Sequence, residues 1–309
     1  MEGRSLKQST RLRKLLKKPG LLVVPGVYDC LTAGCAEEVG FKALFMCTAG
    51  IRSTEFGIAP AIITQTEAIT SLRNMMNSIH VPLVFDAEVG FGGALDAYRT
   101  AQELIRIGIA GISMNDQKHP YKGPAQGHNP KSILKEVVSR DEYLGKMGAV
   151  LEARNKLDKD VVIVARIEAA STMGDEEAIA RAKACLELGV DVILPQARLP
   201  QSKFGVRSKA EIKHLYQAIG APAVPIWAIG VHGVAANFGV KEWEQMGAKI
   251  WAPGPLNTAV AKLVLELLQT LHDKGTIEGY NPPGGPAPQF FSKLADTDFW
   301  EEMEKKYLR

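Results

Sequence analysis

Two acids spaced i, i+2 close an apolar run in Val84-Phe85-Asp86-Ala87-Glu88-Val89-Gly90-Phe91-Gly92. Alternate residues of a strand point the same way. Asp86 and Glu88 are therefore expected on one face, at the C-terminal end of a strand. Buried carboxylates are costly unless paired or bound to a cation. The pair reads as a divalent-metal site, and Gly90 and Gly92 let the backbone turn tightly above it. A strand-end turn with solvated acids is the other reading, and the segment alone leaves both open.

Polar residues end other apolar runs as well. Asn115 and Asp116 follow a fourth run, Arg166 and Glu168 a fifth, Gln196 a sixth, and a seventh leads to His232. Such a ring allows a defined chemistry. Mg²⁺ takes one or two carboxylates plus waters and substrate. As a Lewis acid on a 2-oxo acid it stabilises the enolate formed when a carbon–carbon bond breaks. Arg166 would hold a substrate carboxylate through its two-pronged guanidinium. The segment from Gln117 to Pro130 is rich in Gly, Pro and basic groups, among them Lys118, His119, Lys122 and His128. It is expected to be a lid that closes over the mouth and excludes water, with a plain surface loop as the alternative.

The elements that must position these residues follow from the apolar pattern. Eight short runs (Leu21–Pro25, Ala43–Cys47, Pro82–Asp86, Gly111–Asn115, Val161–Arg166, Asp191–Pro195, Val224–Ile229, Lys249–Ala252) alternate with helical patterns such as Ala94–Ile107, Asp141–Asn155, Asp175–Leu188, Lys209–Ile219 and Asn257–Lys274. Gly40, Gly108, Gly189, Gly220 and Gly247 each close a helix before the next strand, the usual C-terminal stop. The pattern predicts an α/β fold, a (β/α)8 barrel of the TIM type, whose chemistry sits at the strand C-termini. A doubly wound open sheet is the structural alternative. The expected division is a basic N-terminal segment 1–18 with a helix over Ser9–Lys17, a barrel 19–280, and a Pro/Gly connector with a terminal helix over 281–309.

Composition bounds the class. The chain has 309 residues, 46% hydrophobic and 23% charged, with net charge +3. That is ordinary for a folded enzyme, and too little charge to argue for nucleic acid or a membrane surface as partner. Cys30, Cys35, Cys47 and Cys185 show neither metal-ligand spacing nor scaffold density, which suits free thiols in a reducing compartment. A cytoplasmic location is expected. The Lys/Arg-rich start leaves a mitochondrial destination as the alternative.

Several motifs resemble the isocitrate lyase / phosphoenolpyruvate mutase superfamily, in particular methylisocitrate lyase, oxaloacetate hydrolase and carboxyphosphonoenolpyruvate mutase. Pro25-Gly26-Val27-Tyr28-Asp29 is similar to its first-strand motif. Phe85 to Gly92 resembles its Asp-x-Asp-x-Gly-[Tyr/Phe]-Gly metal motif, and Ala165-Arg166-Ile167-Glu168-Ala169 its Ala-Arg-Thr-Asp-Ala. The resemblance runs over roughly residues 10 to 270 in order and spacing. It implies Mg²⁺ or Mn²⁺ held by Asp86, Glu88 and Asn115, substrate oriented by Arg166, and His128 or Tyr28 as proton carriers. It also implies a pocket of Cys47, Thr48, Ala49, Asp86, Arg166, Gln196 and Trp227, a gating loop, and a homotetramer or homodimer that exchanges its C-terminal helix.

The departures carry as much information. Gln126 stands at the lyases' catalytic Cys position, followed by the shared Gly127-His128. Pro60 replaces a metal-shell Asp, Glu88 the second Asp of the metal motif, Asn115 a Glu, and Gln196 another Glu. Cys47-Thr48-Ala49 replaces a Ser-Gly-Gly turn, and Ile229-Gly230-Val231 an Asn-x-Thr segment. Fewer ligand charges imply a metal site weakened or lost, and a substrate pocket less charged than that of isocitrate. The expected function is a divergent Mg²⁺-dependent carbon–carbon lyase or hydrolase on a 2-oxo or 2-hydroxy acid. A metal-independent isomerase or cyclase, or a non-catalytic relative, are the alternatives.

Overall fold

A computed structural model of the chain describes residues 6–58, 62–119, 136–196, 204, 206–229, 238–254, 256–278 and 288–308. Eight short strands follow one another as β1 (Leu22–Val23), β2 (Leu44–Cys47), β3 (Leu83–Asp86), β4 (Gly111–Asn115), β5 (Val162–Ile167), β6 (Val192–Pro195), β7 (Trp227–Ile229) and β8 (Ile250–Ala252). Each lies inside one of the eight apolar runs, save that β5 extends one residue past its run to Ile167. β2 to β6 pair in sequence order, and β7, β8 and β1 form a second set, all parallel. Parallel bridges Gly26–Phe45 and Ile193–Ile226 join the two sets. The ring closes as the expected barrel.

Alternation along the strands builds two apolar layers. Val24, Phe45, Val84, Val164, Leu194 and Trp227 fill the lumen. Leu44, Met46, Phe85, Ile112, Met114 and Ile163 face outward into the helices. These helices are α2 (Cys30–Val39), α4 (Gln65–Ser78), α5 (Ala94–Arg106), α6 (Arg140–Leu157), α7 (Asp175–Leu188), α8 (Lys209–Ile219) and α9 (Val240–Met246), with a single turn α3 (Thr48–Ile51) after β2, while α10 (Asn257–Lys274) follows β8 and buries none of its residues. Asp29 starts α2 by accepting from Thr32 N at 2.7 Å. A left-handed Gly40 ends it. Helix α1 (Gln8–Lys17) closes the bottom of the barrel. Its Leu12 enters the lumen cluster, while Arg13 binds Asp191 at 2.9 Å and the carbonyls of Asp160 and Val161 ahead of β5 and β6.

Two short helices, α11 (Pro288–Leu294) and α12 (Thr297–Tyr307), end the described chain. Only the second was expected from the sequence. Helix α11 packs on α2 of its own chain, where Lys293 pairs with Glu38 and Leu294 lies directly against Gly34. All four cysteines are free thiols. Among the described residues no helix is long and apolar enough to cross a membrane.

Candidate active site at the strand C-termini

Asp86 is the last residue of β3 and is fully buried. Strand alternation does not continue to Glu88. Its φ is +51°, a left-handed backbone uncommon outside glycine. The turn is held by Glu88 N donating to Asp86 Oδ1 at 3.0 Å, Asn115 N to the Glu88 carbonyl at 2.6 Å, and Lys146 Nζ to the Val89 carbonyl at 2.8 Å. Gly90 has φ +76°, and a Cβ there would meet Met114 Sδ at 2.9 Å. No side chain fits. The two acids thus meet the site through a locked turn rather than through a shared strand face. Strain of this kind concentrates at functional sites.

Arg166, near the end of β5, sits between two buried acids. Its Nη1 donates to Asp86 Oδ2 and its Nη2 to Glu168 Oε1 at 2.5 Å. Glu88 faces Arg52, whose Nη2 lies 3.5 Å from Oε1. Asp116 accepts from Glu168 N at 2.7 Å and from Arg181 Nη1 at 3.2 Å. Tyr143 on α6 places its hydroxyl 3.1 Å from the Met114 carbonyl and 3.0 Å from that of Arg166. The strand ends are therefore tied to one another and to the helix behind them.

The charges set the protonation states. Burial pushes the Glu88 carboxyl up to about 7, against the downward pull of Arg52 and Thr48, with Asp86 adding to the rise. Burial likewise lifts Asp116 to about 6, against its bonds to Glu168 N and Arg181. The Cys47 thiol is pushed up to about 11 by burial and by Asp86, so it is not a thiolate at neutral pH. Burial, helped by Asp29, raises the Tyr28 phenol. Tyr28 is a donor at neutral pH and not a base.

Asp86, Glu88, Asn115 and Arg166 come together at the mouth, with Thr48 beside Glu88. Gln196 follows β6 on the same rim, and its Oε1 has no partner among the described residues. Thr48, Ile63, Glu88, Phe91 and His119 line a narrow cleft. It adjoins a wider one bounded by Ile62, Gln65, Asp96 and Arg99. Trp227 corrects an expectation. It was placed in the substrate pocket, but it is fully buried in the lumen, edge-to-face with Phe45 at 5.1 Å. It is part of the floor beneath the mouth. Gln126 and His128, and with them His232, Pro60 and the segment Gly230–Val231, lie outside the described residues. So does most of the expected lid. Its stem is described: Gln117 bridges Val137 antiparallel, and Lys118 N donates to the Glu136 carbonyl at 2.9 Å.

Among the described residues no three acids, histidines or cysteines cluster to hold a metal ion. Asp86 and Glu88 are the acids that face the mouth. Asn115 lies beside them, its oxygen accepting from Gln117 N at 3.0 Å. Sequence reasoning missed Arg52, Tyr143, Lys146 and Arg181. Two of these carried a signal. Arg181 shares the buried face of α7 with Ala178, Ala182 and Cys185, and Lys146 that of α6 with Tyr143, Met147 and Val150.

Comparison with known proteins agrees with this geometry. The phosphoenolpyruvate phosphomutase family profile matches residues 12–271. A 2-methylisocitrate lyase of Aeropyrum pernix is 31% identical over 86% of this chain and 80% of its own length. A 2,3-dimethylmalate lyase of Eubacterium barkeri is 33% identical over 60% of this chain. There the match spans only 62% of the relative's length. An oxaloacetate acetylhydrolase, solved in complex with the inhibitor 3,3-difluorooxalacetate, superposes with TM-score 0.84. It is 29% identical, covering 98% of each chain.

Proposed function

The chain belongs to the phosphoenolpyruvate phosphomutase family of the isocitrate lyase superfamily, and from that premise we propose that it cleaves a carbon–carbon bond, as lyase or hydrolase, in a 2-oxo or 2-hydroxy diacid. The observation that carries the reading is Arg166, buried at the mouth and oriented by Asp86 and Glu168. A guanidinium held this way presents a fixed fork to a substrate carboxylate. The incoming carboxylate competes with Asp86 and Glu168 for the two prongs. Relatives and neighbours that cleave 2,3-dimethylmalate or 2-methylisocitrate, or act on oxaloacetate, support the same substrate class.

The residues present fit a divalent ion at Asp86 and Glu88, though sparsely. Among the described groups Asp86, Glu88 and Glu168 stand against Arg166 and Arg52, which leaves the acids in excess by one. Two carboxylates with waters suffice for Mg²⁺. Bound there, the ion would supply Lewis-acid polarisation of the substrate's oxo oxygen. The chain's own groups do the rest. Arg166 orients the carboxylate, and the Tyr28 phenol donates.

Mg²⁺ at ~100 times its dissociation constant is expected to stabilise the wild type by about 2.7 kcal/mol, roughly 4 °C in a chain this long. The shift should vanish in Asp86→Asn. A thermal scan with EDTA and then a Mg²⁺ titration reads it, alongside a screen of 2-oxo and 2-hydroxy diacids for cleavage. Equal shifts in both proteins would remove Asp86 from the site. Absence of cleavage across the screen would remove the proposed reaction.

The assembly that suits the chain is a homotetramer or homodimer. Helix α10 buries none of its residues and leaves Val264, Leu268 and Leu271, spaced i, i+4, i+7 along one face, exposed. Light scattering is expected to give a multiple of the 33.5 kDa chain mass. A monomer at micromolar concentration would refute it.

A further inference from the structure

Asn115 is fully buried at the tip of β4, flanked across the ladder by Arg166. Alternation fixes its direction. Ile112 and Met114 belong to the outer layer, so Ser113 and Asn115 face the interior. Its amide orientation is fixed as well. The backbone N–H of Gln117 can only donate, and it lies 3.0 Å from the side-chain oxygen. The oxygen must face that N–H, so the NH₂ group faces the other way. There Nδ2 is buried without a hydrogen-bond partner among the described residues. A buried donor left unpaired is costly, and sites keep such donors for a charge that arrives later.

We propose that Asn115 contacts the substrate as a hydrogen-bond donor, through Nδ2, to the oxygen that becomes negative during cleavage, rather than holding a metal through its oxygen. This rests on the reaction proposed above. In a 2-oxo diacid that carries a 4-hydroxyl, the hydroxyl proton leaves to a base and the bond between C3 and C4 breaks. One fragment departs as a carbonyl compound, and the bonding pair stays on the other as an enolate that is then protonated on carbon. The enolate oxygen beside the carboxylate on Arg166 is the acceptor for Nδ2. A donor at this position strengthens its bond as charge develops, whereas a carboxylate here would repel it.

The probe is oxalate, whose adjacent anionic oxygens resemble such an enolate and its carboxylate. Binding is measured by calorimetry in EDTA and again with Mg²⁺, for the wild type, Asn115→Asp and Asn115→Ala. Asn115→Asp keeps an acceptor for Gln117 N–H and so keeps the turn. It is expected to weaken oxalate in EDTA about ten-fold or more, and to lower kcat about 10²- to 10³-fold with a smaller change in KM. Asn115→Ala should lose oxalate affinity while Mg²⁺ affinity stays at the wild-type value. Thermal unfolding checks that both variants are folded. Unchanged oxalate binding in Asn115→Asp, or loss of Mg²⁺ affinity in Asn115→Ala, would overturn the assignment. A wild type that neither binds oxalate nor turns over a diacid would instead overturn the underlying reaction, and this role with it.

Discussion

Arg166→Met is expected to lose about 3–5 kcal/mol of stability and to cut kcat/KM on the order of 10³-fold. The guanidinium is 6% exposed and lies between Asp86 and Glu168, both at 0%. Methionine fills the volume but leaves two carboxylates buried without their cation, and such groups take up protons or pull the fold apart. The catalytic loss has a separate origin, the missing fork for a substrate carboxylate. Arg166→Lys separates the two effects. It returns a positive charge, so most of the stability should come back. A single ammonium cannot make the paired contacts, so kcat/KM should stay low. Denaturant melts and initial rates on the best diacid of the screen are the measurements. Turnover by Arg166→Met within ten-fold of the wild type would rule out Arg166 as the carboxylate anchor.

The barrel was legible because strands β3 to β7 are apolar runs buried on both faces, and because glycines such as Gly40, Gly189 and Gly247 take left-handed backbone at the helix ends. Helix α11 was hidden by the Pro/Gly-rich stretch before it, although Pro288 stands at its first position, where proline starts helices. At the site, strand tips announced Asp86, Glu88 and Arg166. The groups that hold them came from elsewhere. Arg52 lies in a turn after β2, Tyr143 and Lys146 on α6, and Arg181 on α7. Their partners are set by tertiary packing, which spacing along one element does not encode. Trp227 shows the same limit. A strand residue buried on both faces reads alike whether it lines the mouth or fills the lumen. The role of Asn115 depended on one backbone N–H two residues on, and its residue type alone suggested only a ligand oxygen.

The metal-free protein is expected to become more stable as pH falls from about 8 to about 5, with Glu88 as a principal source. Burial holds its carboxyl at about 7, above the usual ~4.3 of an unfolded chain. The sign follows from proton binding. Between these values the folded state holds the proton that the unfolded state has released, so acid favours folding. Above about pH 7 the fold carries the full cost of the charged form, about 4 kcal/mol at most. The groups facing it are Arg52, Thr48 and Arg166, which ease the charge, and Asp86, which opposes it. Asp116 is raised in the same direction and contributes to the wild-type slope. Glu88→Gln isolates the first acid. The variant should melt higher than the wild type at about pH 8 and match it more closely near pH 5, with a flatter slope between. Mg²⁺ should act oppositely on the wild type, with its largest stabilisation at the higher pH, where the carboxylate it relieves is charged. A Glu88→Gln slope equal to that of the wild type would show that this acid is compensated by other means, and that the cation at the mouth does not answer to Glu88.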